Sequence, residues 1–241
     1  MKEHKRKLKM DHQPFPTTGR LTSNMNLEFA KLNSKICSEQ AEVYSYIVAT
    51  IHNQNGQFFQ TGSAPNFQGD MISLCTCKHF MRTFMDAEDW VEKWIAGFSG
   101  VAAGNGDNVL VYLMKVGYAF KSHMSLWFAD EISDETKQAK LARINKFGDI
   151  YQPKDQMSDE FAVQSYIHPV ESHVHCNNNN WHNDINYEGC KGRKAALLVG
   201  DPEYSFLWNQ PMIYYKGHLH RGQKKSNLQT FLHEQLEDRR S

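Results

Sequence analysis

Residues 108–120 read NVLVYLMKVGYAF, and this stretch decides how the rest of the chain must be arranged. Val109, Val111 and Leu113 alternate with Leu110, Tyr112 and Met114. Alternation with a period of two marks a β-strand, and here both faces are apolar. A strand that is apolar on both faces sits inside a sheet covered on each side. Working outward, residues 43–51 (VYSYIVATI) are a second β-rich and nearly unbroken apolar run. Shorter apolar runs at 72–77, 195–199, 204–208 and 212–215 are further strand candidates.

Helices are expected at both ends. In 24–42, Phe29, Leu32 and Ile36 share one face behind a cap at Ser23 or Asn24. In 226–241, Ser226 caps a helix carrying Leu228, Phe231, Leu232 and Leu236. Residues 83–97 predict a short helix followed by a strand at 94–97. Residues 122–144 are helix-permissive, with Trp127 and Phe128 as anchors. Residues 53–69, rich in Gly, Asn, Pro and Ser, read as a loop. Residues 147–186 read as an irregular, His- and Asn-rich excursion. The fold class is α+β: a small curved mixed β-sheet or barrel flanked by helices, similar at the level of strand order to PUA-like folds. Three parts are expected: a basic flexible arm at 1–25, a single domain at 26–216, and a basic linker with an amphipathic helix at 217–241.

The chain's 27 Lys and Arg balance its 27 Asp and Glu. That argues against a uniformly basic nucleic-acid coat, while leaving room for a local basic patch. No apolar run has the length of a membrane helix, and the first residues lack a signal-peptide core. Five cysteines without a disulfide-like spacing fit a reducing cytoplasm. There is no nucleophile elbow, no GxxxxGK[ST] loop and no GxGxxG.

Chemistry concentrates in 63–82, SAPNFQGDMISLCTCKHFMR, where a turn-forming run enters an apolar segment and leaves through cations. Around it stand YSYIV (44–48), SAPN (63–66), ISLCTCK (72–78) with Arg82, WIAG (94–97) and LVYLMKV (110–116). In order and spacing this resembles the second family of nucleotide modification associated domains. These are bacterial and phage domains linked to DNA base modification. The resemblance covers about 44–208. Ser63 stands where the family has an aromatic, and Glu92-Lys93 where it has Gly-Asp.

The resemblance matches Lys78 and Arg82 to the family's basic residues, and two cations there could hold phosphate. The competing reading is a solvated cationic edge. Asn66 could read a base edge through its amide, or only close its own turn. Gly148-Asp149-Ile150-Tyr151 resembles a family segment, which makes Asp149 a candidate base and Tyr151 a candidate nucleotide contact. His173, His175, His182 and Asp184 resemble a His-rich segment with a later His-Asp. Asp201 follows an apolar run and is a candidate partner for a histidine. With Cys176 and Cys190 these histidines are the densest gathering of ligand-type side chains. Their spacing fits no zinc pattern, so no metal is assigned and no cofactor is identified. Cys75 and Cys77 are expected on one strand face as buried thiols. The competing reading is a reactive thiolate beside Lys78 or His79.

The leading reading is a nucleotide or DNA base modification protein that binds a nucleotide or an extruded base. As an enzyme it would use His173, His175 or His182 with Asp149 or Asp201. The alternatives are a non-catalytic reader of modified bases, or an interaction or inhibitor protein on the same fold. DNA or a nucleotide is the expected partner, and no protein partner is indicated.

Overall fold

Ten strands appear in chain order in the computed structural model, which describes residues 11–36, 40–175, 180–220 and 222–239. They are β1 (Glu42–Val48), β2 (Ile51–Gln54), β3 (Gln57–Gln60), β4 (Ser73–Leu74), β5 (Trp94–Ser99), β6 (Leu110–Phe120), β7 (Leu197–Leu207), β8 (Ile213–Tyr215), β9 (Lys224–Asn227) and β10 (Leu236–Asp238). The helices are short: α1 (Arg20–Ser23), α2 (Phe29–Ile36), α3 (His79–Arg82), α4 (Ala87–Trp90), α5 (His123–Trp127), α6 (Asp134–Ala139), α7 (His182–Asn186) and α8 (Leu228–Thr230). None of the described helices is long and apolar enough to cross a membrane.

The main sheet has the order β4-β7-β6-β5-β1-β9. β1 and β5 run parallel, and the other neighbours are antiparallel. The sheet is therefore mixed and open, with β4 and β9 at its edges, and it does not close into a barrel. As residues 108–120 predict, β6 lies inside it. Leu110 to Val116 of β6 are almost fully buried, apart from the partly sheltered Lys115.

Two apolar clusters cover the two faces. One gathers Tyr46, Val48, Ile95, Val111, Tyr112 and Met114. The other gathers Trp94, Phe98, Leu110, Leu113, Phe206 and Trp208 with Leu32, Phe231 and Leu232. Each large apolar side chain buried this completely stabilises the fold by about 1.5–3 kcal/mol. The division departs from strict alternation because the β5–β6 register slips between Gly97 and Phe98, a bulge that leaves Val111 unpaired. Val111 and Tyr112 therefore share a face. Gly97 permits this: a Cβ there would come within 2.1 Å of the Tyr112 ring. The ring's hydroxyl then meets that of Tyr46 at 2.7 Å.

Several local expectations change. The loop expected at 53–69 begins as a hairpin, β2–β3, turned by Asn55 and Gly56 at positive φ. The two strand candidates at 195–199 and 204–208 are one strand, β7, irregular where it passes Gly200. The N-terminal helix expected over 24–42 is the shorter α2, and a separate turn of helix, α1, lies just before that span. At the other end Asn227, not Ser226, caps the helix, because Lys224–Asn227 is drawn into the sheet beside β1. Leu236 then leaves the helix and pairs with Tyr215. Of the arm at 1–25, residues 1–10 lie outside the described part.

Between β6 and β7 the chain makes a long excursion, residues 121–196, carrying α5, α6 and α7. Hydrogen bonds donated by Lys140 and accepted by Asp149 and Asp184 bind it against 66–79. That seam holds the site.

Candidate active site

β4 is only two residues long, pairing Ser73 and Leu74 with Val199 and Leu198. The chain then leaves the sheet, so Cys75 and Cys77 do not share a strand face. Cys75 is buried, whereas Cys77 is only half-buried. Cys77 and Lys78 take positive φ of 56° and 48°. Two successive left-handed non-glycine residues are strained, and such backbone persists where neighbours hold a side chain in a required place. The turn delivers the chain into α3 and sets the thiol beside His175.

Arg82 is the clamp that holds this turn. It is fully buried. Its Nε donates to the Cys77 carbonyl at 2.9 Å, and Nη1 donates to the Ala196 carbonyl at 2.5 Å. Burial pushes its pKa down. All these bonds run to backbone, so Arg82 positions Cys77 and is not an exposed cation.

Asp184, from α7, is the hub. Its carboxylate is buried and holds four donors. Oδ1 faces His79 Nε2 at 2.6 Å and the Cys77 amide at 3.4 Å. Oδ2 accepts from the Tyr151 hydroxyl at 2.8 Å and faces His175 Nδ1 at 3.0 Å. The other nitrogen of His175, Nε2, lies 3.3 Å from the Cys77 sulfur. Sulfur, imidazole and carboxylate thus stand in line. Burial opposes the charge on His175, but Asp184 and the sulfur outweigh it and lift its pKa to about 10. Burial likewise opposes the charge on Asp184, and the two imidazoles more than offset it, holding this carboxyl well below the usual range. His79 moves the other way: burial lowers its pKa despite Asp184. His79 also stacks on Tyr187.

Beneath the hub lies an aromatic floor. Tyr151 is buried against His123, His173 and Trp181. Its hydroxyl stands 3.0 Å from His173 Nε2, and His173 Nδ1 stands 3.0 Å from the Lys146 carbonyl. Burial lowers the pKa of His123 to about 3 and that of His173 to about 4.

These shifts fix the pH dependence of stability. His123 and His173 stay neutral when folded but take up protons when unfolded. The stability they confer is complete above pH 6.5 and falls as pH drops towards 4 and 3. The slope is about 1.4 kcal/mol per pH unit for each group. His175 has the opposite sign: its contribution is complete below pH 6.5 and is lost on the way to pH 10. Thermal unfolding between pH 4 and pH 10 is expected to show a maximum near pH 6.5. A midpoint that does not fall between pH 6.5 and pH 4 would contradict the buried neutral histidines.

The other residues singled out from sequence fall elsewhere. Asp149 is fully buried, and its Oδ2 accepts from Ser73 Oγ at 2.8 Å. Burial raises its pKa, with Lys140 opposing. Asn66 is buried too, donating to the Phe147 carbonyl at 2.7 Å and accepting from Lys140 Nζ at 2.9 Å. These two share a hydrogen-bonded network with Lys140 and Ser73, next to the Asp184 hub, in which Asp149 Oδ1 is left without a partner among the described residues. Asp201 closes a turn, accepting from the Glu203 amide at 2.7 Å, and partners no histidine among the described residues. His182 lies edge-on against Trp181, outside the hub. Lys78, half-buried, rests its ammonium over the Tyr46 ring at 4.7 Å. Cys176 lies outside the described residues. Among those described, no three His, Cys, Asp or Glu side chains are arranged to hold a metal ion.

Sequence reasoning placed Asp184 in the His-rich segment, kept Cys77 beside His79 as a competing thiolate, and gave His123 no role. The signal for the first three was present: a Cys-Lys-His run ending an apolar segment, and a carboxylate two residues after His182. His123 gave none.

The sequence model described as nucleotide modification associated domain 2 matches residues 40–191. That span contains every residue of the hub. No curated protein and no solved structure matches the chain.

Proposed function

We propose, because the chain belongs to the nucleotide modification associated domain 2 family, that it modifies a nucleotide or nucleobase by covalent chemistry at Cys77. The observation that carries this reading is the line of contacts from the Cys77 sulfur through His175 to Asp184, at 3.3 Å and 3.0 Å. A nucleophile within reach of an imidazole, itself oriented by a buried carboxylate, is the arrangement of nucleophilic catalysis. An imidazolium beside a thiol favours the thiolate, the reactive form.

In the reaction so supported, the sulfur donates an electron pair to an electrophilic carbon of the bound nucleotide or of its modifying group. The bond broken at that carbon releases its electron pair to a leaving atom. His175 Nε2 delivers to that atom the proton it took from the thiol, so charge and protons balance. Asp184 fixes the tautomer of His175, and its negative charge offsets the positive charge the ring takes on. Lys78, next to the nucleophile, is the residue we assign to phosphate, its ammonium leaving the Tyr46 ring to meet it. A free nucleotide and an extruded base of DNA offer the same atoms to Cys77. A non-catalytic reader of bases has no use for a strained turn that sets a thiol against an imidazole.

The test is protection. Cys77 of the full chain is alkylated with iodoacetamide and followed by peptide mass spectrometry. Each deoxynucleoside monophosphate and triphosphate is added in turn, then short single-stranded DNA. At least one of these is expected to slow alkylation of Cys77 severalfold, and the slowing is expected to weaken in Lys78→Ala. Alkylation unaffected by all of them would overturn the assignment of this site to nucleotides.

A further inference from the structure

A proton count under Asp184 leads further, resting on the reading of Cys77 and His175 as the reacting pair. His173 Nδ1 faces the Lys146 carbonyl at 3.0 Å, so it must carry a hydrogen. In the neutral ring Nε2 is then a bare acceptor. It faces the Tyr151 hydroxyl at 3.0 Å. The same hydroxyl lies 2.8 Å from Asp184 Oδ2. One hydrogen therefore has two acceptors in reach, one of them the carboxylate that holds His175.

We infer that Tyr151 and His173 are a positioning couple that sets the basicity of His175 through Asp184. When Tyr151 donates to Asp184, it draws off carboxylate charge and makes His175 less basic. When it donates to His173, Asp184 is left to His175 and His79, and His175 becomes more basic. The hydroxyl swings towards Asp184 as His175 gives up its proton, and back as the proton returns. No bond to substrate is involved, so neither residue is catalytic in its own right. Burial holds His173 neutral, which keeps its Nε2 available as the second acceptor.

The groups facing this couple are few. His79 and the Cys77 amide share Asp184 Oδ1. His123, from α5, packs edge-on against Tyr151 at 4.8 Å. His175 packs against His173 at 5.7 Å. His168 acts on His173, and the buried Arg82 and Asp149 act at longer range. Of all these, only Tyr151 has a proton to give to either side.

The readout is the pH at which alkylation of Cys77 by iodoacetamide is half-developed, a property of the Cys77–His175 pair. It is measured on the full chain by peptide mass spectrometry. Tyr151→Phe removes the donor to Asp184, makes His175 more basic, and is expected to move the midpoint down by about half a pH unit or more. His173→Leu leaves the hydroxyl only Asp184, and is expected to move the midpoint up by a similar amount. The double variant is expected to behave as Tyr151→Phe alone. Replacing Tyr151 by 3-fluorotyrosine keeps the packing and strengthens the donor, so it should also move the midpoint up. This holds the test open if His173→Leu does not fold.

Opposite signs are the signature, since loosening of the site would move Tyr151→Phe and His173→Leu together. Shifts of one sign, or none with 3-fluorotyrosine, would overturn the couple while the nucleophile reading stands. Wild-type Cys77 reacting no faster than a free thiol would instead overturn the reading beneath it.

Discussion

Cys77 in a His175→Ala variant is expected to react with iodoacetamide about tenfold more slowly at pH 7 than in the wild type. An ordinary thiol with a pKa near 8.5 is only about 3% ionised at that pH. His175 Nε2 stands 3.3 Å from the sulfur, within reach of its proton. A base so placed contributes about a hundredfold or more to a proton transfer. Removing the ring forfeits part of that. The fold should survive, because Asp184 keeps His79, Tyr151 and the Cys77 amide as donors. His52, paired with Thr61 on the β2–β3 hairpin, is the control: His52→Ala should leave the rate within about twofold. An unchanged rate in His175→Ala would mean that the contact does not activate the sulfur.

A larger effect on stability is expected at Lys140. This lysine is buried, and burial lowers its pKa to about 8 against the pull of Asp149. Its ammonium donates to the Met71 carbonyl and Ser73 Oγ, each at 2.8 Å, and to Asn66 Oδ1 at 2.9 Å. Ser73 passes the bond on to Asp149. Lys140→Met deletes the cation and leaves Asp149 buried with its charge uncompensated. Removing one charge from a buried network of this kind, where Ser73 links the two, costs about 3–5 kcal/mol, to be read from the urea midpoint. Lys140→Met with Asp149→Asn should cost less than the sum of the two single changes, since they act on one network. The same knot ties 66–73, the stretch that leads to Cys77, to the excursion between β6 and β7. Lys140→Met should therefore slow Cys77 alkylation as well. A loss below about 1 kcal/mol would show that the network is incidental.

The sheet was legible where period and composition agreed. Residues 108–120 and 43–51 read as buried strands and hold β6 and β1, although the second run breaks after Val48 and resumes as β2 at Ile51. The C-terminal segment was not legible. Leu228, Phe231, Leu232 and Leu236 have helical spacing, yet Leu236 belongs to a strand, because pairing with β8 outweighs local periodicity. In the site, the histidine-rich excursion drew notice for residue type alone. Sequence could name His173 and His175 but could not show that Asp184 would collect both His79 and His175 from segments about a hundred residues apart. Nor could it separate Cys77 from Cys75. The difference lies in a left-handed turn, and neither Cys77 nor Lys78 is a residue that advertises positive φ. Asp149 was singled out by the family-like segment 148–151 and Asn66 by its amide beside Pro65, and sequence could not show what either side chain meets. Their partners are Lys140, Ser73 and the Phe147 backbone.

One measurement bears most directly on the central claim: the second-order rate constant for iodoacetamide at Cys77 in the native chain at pH 6, beside that of N-acetylcysteine. At this pH an ordinary thiol is ionised to well under 1%, so any activation by His175 stands out. Cys77 is expected to react at least about tenfold faster than the small thiol, and to lose that advantage in His175→Ala. A native Cys77 that reacts no faster than N-acetylcysteine would contradict the assignment of Cys77, His175 and Asp184 as the reacting centre.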